Sequence, residues 1–184
     1  MSKFSWKSPK LTVRTIALAA LLAAIQLILS KMSVGDSHVV KISFGFIGTA
    51  LIGYFMGPWL GGVIMVINDI IGNTIFNSGT VFFPGFTFSA FISGIIAGMF
   101  LHQQKVTWKR IFTYSFFQIL ISNVFFNTLW VYCINMVSNH PMSVEPYLIT
   151  RMTKEIISFP IEATILLLIL AAISRNKILK TYAN

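Results

Sequence analysis

Apolar residues gather into six runs along this chain, near residues 11–30, 42–56, 61–77, 82–101, 110–137 and 153–174, with polar residues collected between them. Most runs approach the roughly 20 residues an α-helix needs to cross a bilayer. Strand-like alternation is absent, and backbone in hydrocarbon must satisfy its own hydrogen bonds, so helices are expected. The second and third runs are short and meet at "GPWLGG" (57–62), a Gly-Pro turn that leaves little room for a loop. The pattern predicts an all-α membrane protein: six transmembrane helices in a compact bundle, forming a single integral membrane domain over residues 1–184. No pair of matching halves is visible, so a transporter built from two such repeats is not supported.

Composition agrees with this picture. The chain is 55% hydrophobic and only 10% charged, with a mean hydropathy of +0.78, whereas soluble domains carry about a quarter charged residues. Six crossings would put both termini on one side, together with the loop "LHQQKVTWKR". Lys3, Lys7, Lys10, Arg14, Lys105, Lys109, Arg110, Arg175, Lys177 and Lys180 then share that face, ten of the fourteen cations. The positive-inside rule makes it cytoplasmic. None of the five acids lies there, so the net charge of +9 reads as a topology signal and implies no nucleic-acid partner. The basic flank of the first run is shared with secretory signals. That run ends in "QLILSKMS" without a small-x-small cleavage site, so an uncleaved first helix is expected. Lys31, Lys41, Arg151 and Lys154 fall toward the outside, where topology does not explain them.

Little in the chain suggests catalysis. There is no G-x-x-x-x-G-K-[ST] loop for ATP, no H-E-x-x-H and no G-x-S-x-G. His38, His102 and His140 make no metal-ligand spacing and read as solvated loop residues. Cys133 reads as a buried structural thiol. No metal or cofactor is expected.

Polar groups inside spans are costly and usually face a cavity or a partner helix. Three spans carry them toward their outer halves. "NDIIGNTIFNSG" sets Asp69, Asn73 and Phe76 on one helical face, and "NVFFNTLW" gives Asn123, Asn127 and Trp130 the same spacing. In the last span Arg151, Glu155, Ser158 and Glu162 form a stripe, with Lys154 beside it. Asn offers a donor and an acceptor to the edge of a heteroaromatic ring, and Trp130 offers a flat face for stacking. Arg151 can hold a carboxylate bidentately and Lys154 adds a point charge. Together they describe a ligand with a polar flat ring and an acidic tail. The same residues can also be structural: intramembrane Asn pairs contribute about 0.6 kcal/mol between helices, and Trp130 could belong to an interfacial belt. Anionic lipid is a further reading of Arg151 and Lys154, weakened by Glu155 beside them and by their outer position.

The first helix presents small residues instead. In "ALAALLAAIQ", Ala19 pairs with Ala23 and Ala20 with Ala24, a face that lets another helix approach closely. Gly53, Gly57 and Gly61, and Gly94 and Gly98, repeat the spacing and read mainly as internal packing.

Taken in order, these stretches resemble the substrate-binding S components of energy-coupling factor (ECF) vitamin transporters, specifically the folate group. The resemblance is carried by "ALAALLAAIQ", "KISFGFIGTALIGYFMGPWLGGVIMVINDIIG", "FFPGFTFSAFISGIIAGMFL", "NTLW" and "RMTKEIISFPIEATIL". It implies a vitamin pocket open to the outside and no ATPase activity in this chain. Its partners would be folate or a related vitamin, and a transmembrane coupling protein bound to two ATPase subunits. Ala19, Ala20, Ala23 and Ala24 match the family's docking face. Asn127 and Trp130 of "NTLW", with Arg151 and Lys154 of "RMTKE", are carried over as pocket residues. Asn123, Asp69, Asn73, Phe83 and Phe86 are expected near them. The outer loops "SKMSVGDSHVVK" and "FNSGTVFFPGF" would gate the pocket. Three other readings stay open at this point. They are an S component for another vitamin, a small lipid-acting membrane enzyme using Asp69, Glu155 or Glu162, and an autonomous secondary transporter.

Overall fold

The computed structural model describes residues 4–34, 42–76, 82–137 and 144–176. Helix α1 spans Val13–Lys31, and its first turn is capped by Thr12, whose hydroxyl accepts the Thr15 N–H at 3.2 Å. Helix α2 spans Gly45–Thr74 and α3 spans Pro84–Leu101, opened by a proline whose missing N–H costs nothing there. The next span is built in three pieces: α4 (Trp108–Gln118), a π-helical segment (Ile119–Phe126) and α5 (Asn127–Val137). Helix α6 closes the bundle over Val144–Arg175.

Five stretches have the length and hydropathy to cross a membrane: Val13–Lys31, Gly45–Thr74, Pro84–Leu101, Trp108–Met136 and Leu148–Arg175. The second and third runs of the sequence both lie in α2, which breaks at Gly57. That residue sits at φ 70° and ψ −173°, a conformation open to glycine and costly for any side chain. Beyond the break the chain folds back. Thr49 Oγ1 lies 3.8 Å from Met65 Sδ, and Ile52 packs beside Gly61. The new limb begins without partners for its first N–H groups, and Ser8 supplies one. Its hydroxyl accepts the N–H of Trp59 at 3.1 Å and of Leu60 at 3.4 Å.

Glycines set the contact between α2 and α3. A Cβ on Gly98 would fall 2.2 Å from the Gly57 carbonyl carbon and the Pro58 nitrogen, and one on Gly94 would meet the Gly61 carbonyl at 2.5 Å. The backbones touch there, as small residues allow in membranes. Around this contact lies the apolar core, including Ile52, Met56, Ala97, Leu101, Ile111, Tyr114 and Leu170. The core therefore fills the half of the bundle nearest the Gly57 turn. The opposite half holds Asp69, Asn73, Asn123, Trp130 and Arg151.

Four expectations need correction. A short antiparallel strand pair does exist, Ser33–Val34 against Ile42–Ser43, between α1 and α2. Helix α6 starts at Val144, nine residues before the apolar run at 153, because a helix can extend past the hydrocarbon into polar sequence. Arg151 and Lys154 consequently lie within the helix and not at its start. Cys133 is half-buried instead of enclosed. Finally, His102 is no solvated loop residue. Only 1% of it is exposed, and its Nδ1 lies 2.9 Å from the Tyr54 carbonyl at the C-terminal end of α3. His38 and His140 lie outside the described residues.

Candidate functional site

In the polar half, three groups of side chains converge from different helix pairs. The first stands between α1, α2 and α3. Asn68 is 3% exposed, and its Nδ2 donates to Gln26 Oε1 at 2.8 Å and to the Ala23 carbonyl at 3.1 Å. Its Oδ1 is buried and has no partner. Gln26 can reach across because α2 carries Gly48 opposite it, where a Cβ would meet the Gln26 Cα at 2.6 Å. Next to it, Asp69 accepts the Thr87 hydroxyl at 2.7 Å, and Asn73 Nδ2, one turn on, donates to the Asp69 carbonyl at 2.8 Å. A cavity of about 210 Å³ opens between them, lined by Gln26, Lys31, Asn68, Asp69 and Asn73 among others. Lys31 Nζ donates to the Phe76 carbonyl at 2.8 Å, tying the ends of α1 and α2. Phe76 itself is exposed and does not join Asp69 and Asn73.

The second group is aromatic. Trp130 lies parallel to Phe126 (centroids 6.0 Å apart, 14° between planes) and tilted to Phe83 at 5.7 Å, while Phe83 meets Phe86 edge-on at 6.1 Å. The indole N–H donates to Ser89 Oγ at 2.7 Å. Gly85 makes the approach possible, since a Cβ there would lie 2.5 Å from both Phe83 Cε1 and Trp130 Cδ2. The expected isolated stacking face is therefore part of a four-ring wall whose polar edge is already engaged. Asn127 is half-buried one turn before Trp130.

The third group explains the π-helical segment. The Asn127 N–H bonds to the carbonyls of Ser122 and Val124 and passes over that of Asn123. Asn123 O instead accepts from Arg151 Nη1 at 2.9 Å. The Asn123 side chain also reaches α6, its Nδ2 donating to Glu155 Oε1 at 3.3 Å. A π segment often marks a place where function outweighs regular hydrogen bonding, and here it frees a carbonyl for a guanidinium. The stripe read along α6 is real. Glu155 and Ser158 are buried at 6% and 1% exposure, Arg151, Lys154 and Glu162 are half-buried, and Met152, Ile156 and Ile157 face outward.

The eight candidate residues are distributed over these three groups. Asp69 and Asn73 face the α1–α2–α3 cavity. Trp130 and Phe83 lie across α3, which offers Thr87 to one side and Gly85 and Ser89 to the other. Asn123 and Arg151 bridge the π segment to α6, with Lys154 on the next turn. Gln26, Asn68, Thr87 and Ser89 belong to the same groups and were missed. Each is a polar residue within an apolar run, the signal that found the others. The gating segments fall largely outside the described residues, at 35–41 and 77–81. The alanines of α1 also divide: Ala19 and Ala23 pack against the core, whereas Ala20 and Ala24 are exposed.

Comparison with known proteins places this arrangement. Residues 14–182 match the family described as "ECF transporter, substrate-specific component". The chain is 35% identical to a folate transporter FolT of Leuconostoc mesenteroides subsp. mesenteroides, over 88% of this chain and 86% of that protein. It is 30% identical to a FolT of Clostridium novyi, over 84% and 86% respectively. The crystal structure of FolT bound with folic acid superposes with a TM-score of 0.72 at 29% identity, covering 83% of this chain and 88% of that one. The S-component for biotin from an ECF-type ABC transporter shares the fold at a TM-score of 0.66 and 18% identity, covering 95% and 100%. The fold and the match along nearly the whole length lead to one assignment: this chain is a multi-pass membrane protein belonging to the family of substrate-specific components of ECF transporters.

Proposed function

We propose that the chain is the high-affinity folate-binding subunit of an ECF-type importer. Similarity to proteins named as folate transporters carries the choice of vitamin. The site chemistry fits it, with an aromatic wall at Trp130, Phe83 and Phe126 for a flat pterin ring and amides for its edge. Arg151 and Lys154 supply cations for its carboxylates. Counting the two limbs of α2 separately gives six crossings, one membrane domain and both termini in the cytoplasm, where the cations gather. Folate enters from the opposite face. Transport then requires docking on a transmembrane coupling protein with two ATPase subunits, because this chain has no nucleotide-binding loop.

Calorimetry on the purified protein without ATP tests the reading: folate binds tightly, and thiamine, riboflavin and biotin do not compete. Trp130→Ala weakens folate binding by about 1–3 kcal/mol if the ring stacks on this wall, by analogy with base–aromatic stacking. Absence of binding to any reduced or oxidised folate overturns the substrate assignment.

A further inference from the structure

At the other end of the bundle, a cavity of about 320 Å³ lies between the N-terminal segment, α3 and α4, lined by Phe4, Phe100, Thr107, Lys109, Arg110 and Thr113. It serves none of the roles above. We propose that it holds the headgroup of an anionic phospholipid. Two cations and two hydroxyls line its rim, which suits a phosphodiester. No acid occurs in residues 1–20 or 101–115 to compete with that anion. Arg110 is held in place, its Nη1 donating to the Phe100 carbonyl at 3.2 Å. Lys109 is exposed, and its Nζ lies 5.9 Å from the Trp108 ring centre.

The apolar walls separate a lipid from a soluble anion. Phe4 meets Phe100 edge-on at 5.1 Å, and Phe100 meets Phe117 at 5.7 Å. Phe117 is exposed on the outside of a membrane-crossing stretch. The aromatic row thus leads from the charged cavity onto the lipid-facing surface, as a headgroup with attached acyl chains requires. Trp108, 59% exposed beside the cavity, stands where aromatic belts meet the headgroup layer. The location agrees with the cytoplasmic leaflet, which is rich in anionic lipid. The inference does not depend on which vitamin the outer half binds.

Native mass spectrometry of the detergent-purified protein, titrated with dioctanoyl phosphatidylglycerol, tests it. Saturable binding of one lipid per chain is expected, without competition from phosphatidylcholine. Lys109→Gln should weaken it about fivefold, the effect of one cation near an anionic headgroup. Lys105→Gln, which removes an exposed cation of the same loop outside the cavity, should leave it unchanged. An unchanged thermal-unfolding midpoint for each variant confirms that it is folded. Equal weakening by the two substitutions would show diffuse surface charge in place of a site. Glycerol phosphate binding as well as the lipid would show an anion site that ignores acyl chains. Either result, or a failure to saturate, overturns the proposal.

Discussion

His102 shows how much a single side chain can depend on its surroundings. A carbonyl only accepts, so the contact with Tyr54 O fixes the proton on Nδ1. Its Nε2 is then the bare nitrogen, buried and without a partner. Protonating it would place a charge in a dry site, and burial holds the histidine below its ordinary value of 6.5. The sign follows: the unfolded chain takes up this proton before the folded one does. The stability linked to His102 is therefore intact above about pH 6.5 and lost as pH falls below it. Thermal unfolding followed from about pH 7.5 to 5 should show the wild type losing stability faster than His102→Gln. Parallel profiles would remove His102 as the cause. None of this was legible beforehand, because a histidine next to "QQK" reads as solvent-facing until the Gly57 turn is seen to pack over it. The residues of the polar half were easier. Asp69, Asn73, Asn123, Trp130 and Arg151 were legible because polar groups stand out against apolar runs. Their assignment to three separate groups was not, since it depends on which face of α3 each one meets.

At the scale of elements, glycine spacing decides how closely α2 and α3 pack. Gly98→Ala places a methyl 2.2 Å from backbone atoms at Gly57 and Pro58, which cannot rotate aside as a side chain would. Destabilisation of about 1–3 kcal/mol, the usual range for overpacking, is expected. Gly72→Ala is the matched control. The nearest atom to its new Cβ is Leu27 Cδ2 at 3.8 Å, and alanine favours a helix over glycine by up to about 1 kcal/mol. It should be neutral or stabilising. Denaturation of the two variants in one detergent checks both signs, and equal losses would mean that the α2–α3 contact yields more easily than its geometry implies. Helix positions were largely readable from hydropathy, but the π-helical segment was not. Its 119–126 stretch is as apolar as any helix, and its register follows from Arg151 taking the Asn123 carbonyl, a contact between elements 28 residues apart in the chain.

For the whole molecule, the function proposed above predicts that binding and coupling can be separated by substitution. Small residues on α1 were read as one docking face, and in the fold they differ in burial. Ala23 packs on the core and its carbonyl accepts from Asn68, whereas Ala24 is exposed on the outer surface of the helix. A leucine at the two positions should therefore fail differently. Ala23→Leu intrudes on the contact beneath the Gln26–Asn68 pair, lowering thermal stability and weakening folate binding with it. Ala24→Leu leaves stability and binding unchanged, because its side chain enters only the surrounding lipid. It abolishes uptake once the coupling protein and ATPase subunits are supplied, because a partner helix can no longer come close. Folate binding by calorimetry and uptake into proteoliposomes, measured with and without the partner subunits, distinguish these outcomes. Uptake by this chain alone would make it an autonomous carrier. Loss of binding and uptake together in Ala24→Leu would mean that the exposed face of α1 also shapes the pocket, and the two halves would no longer be separable.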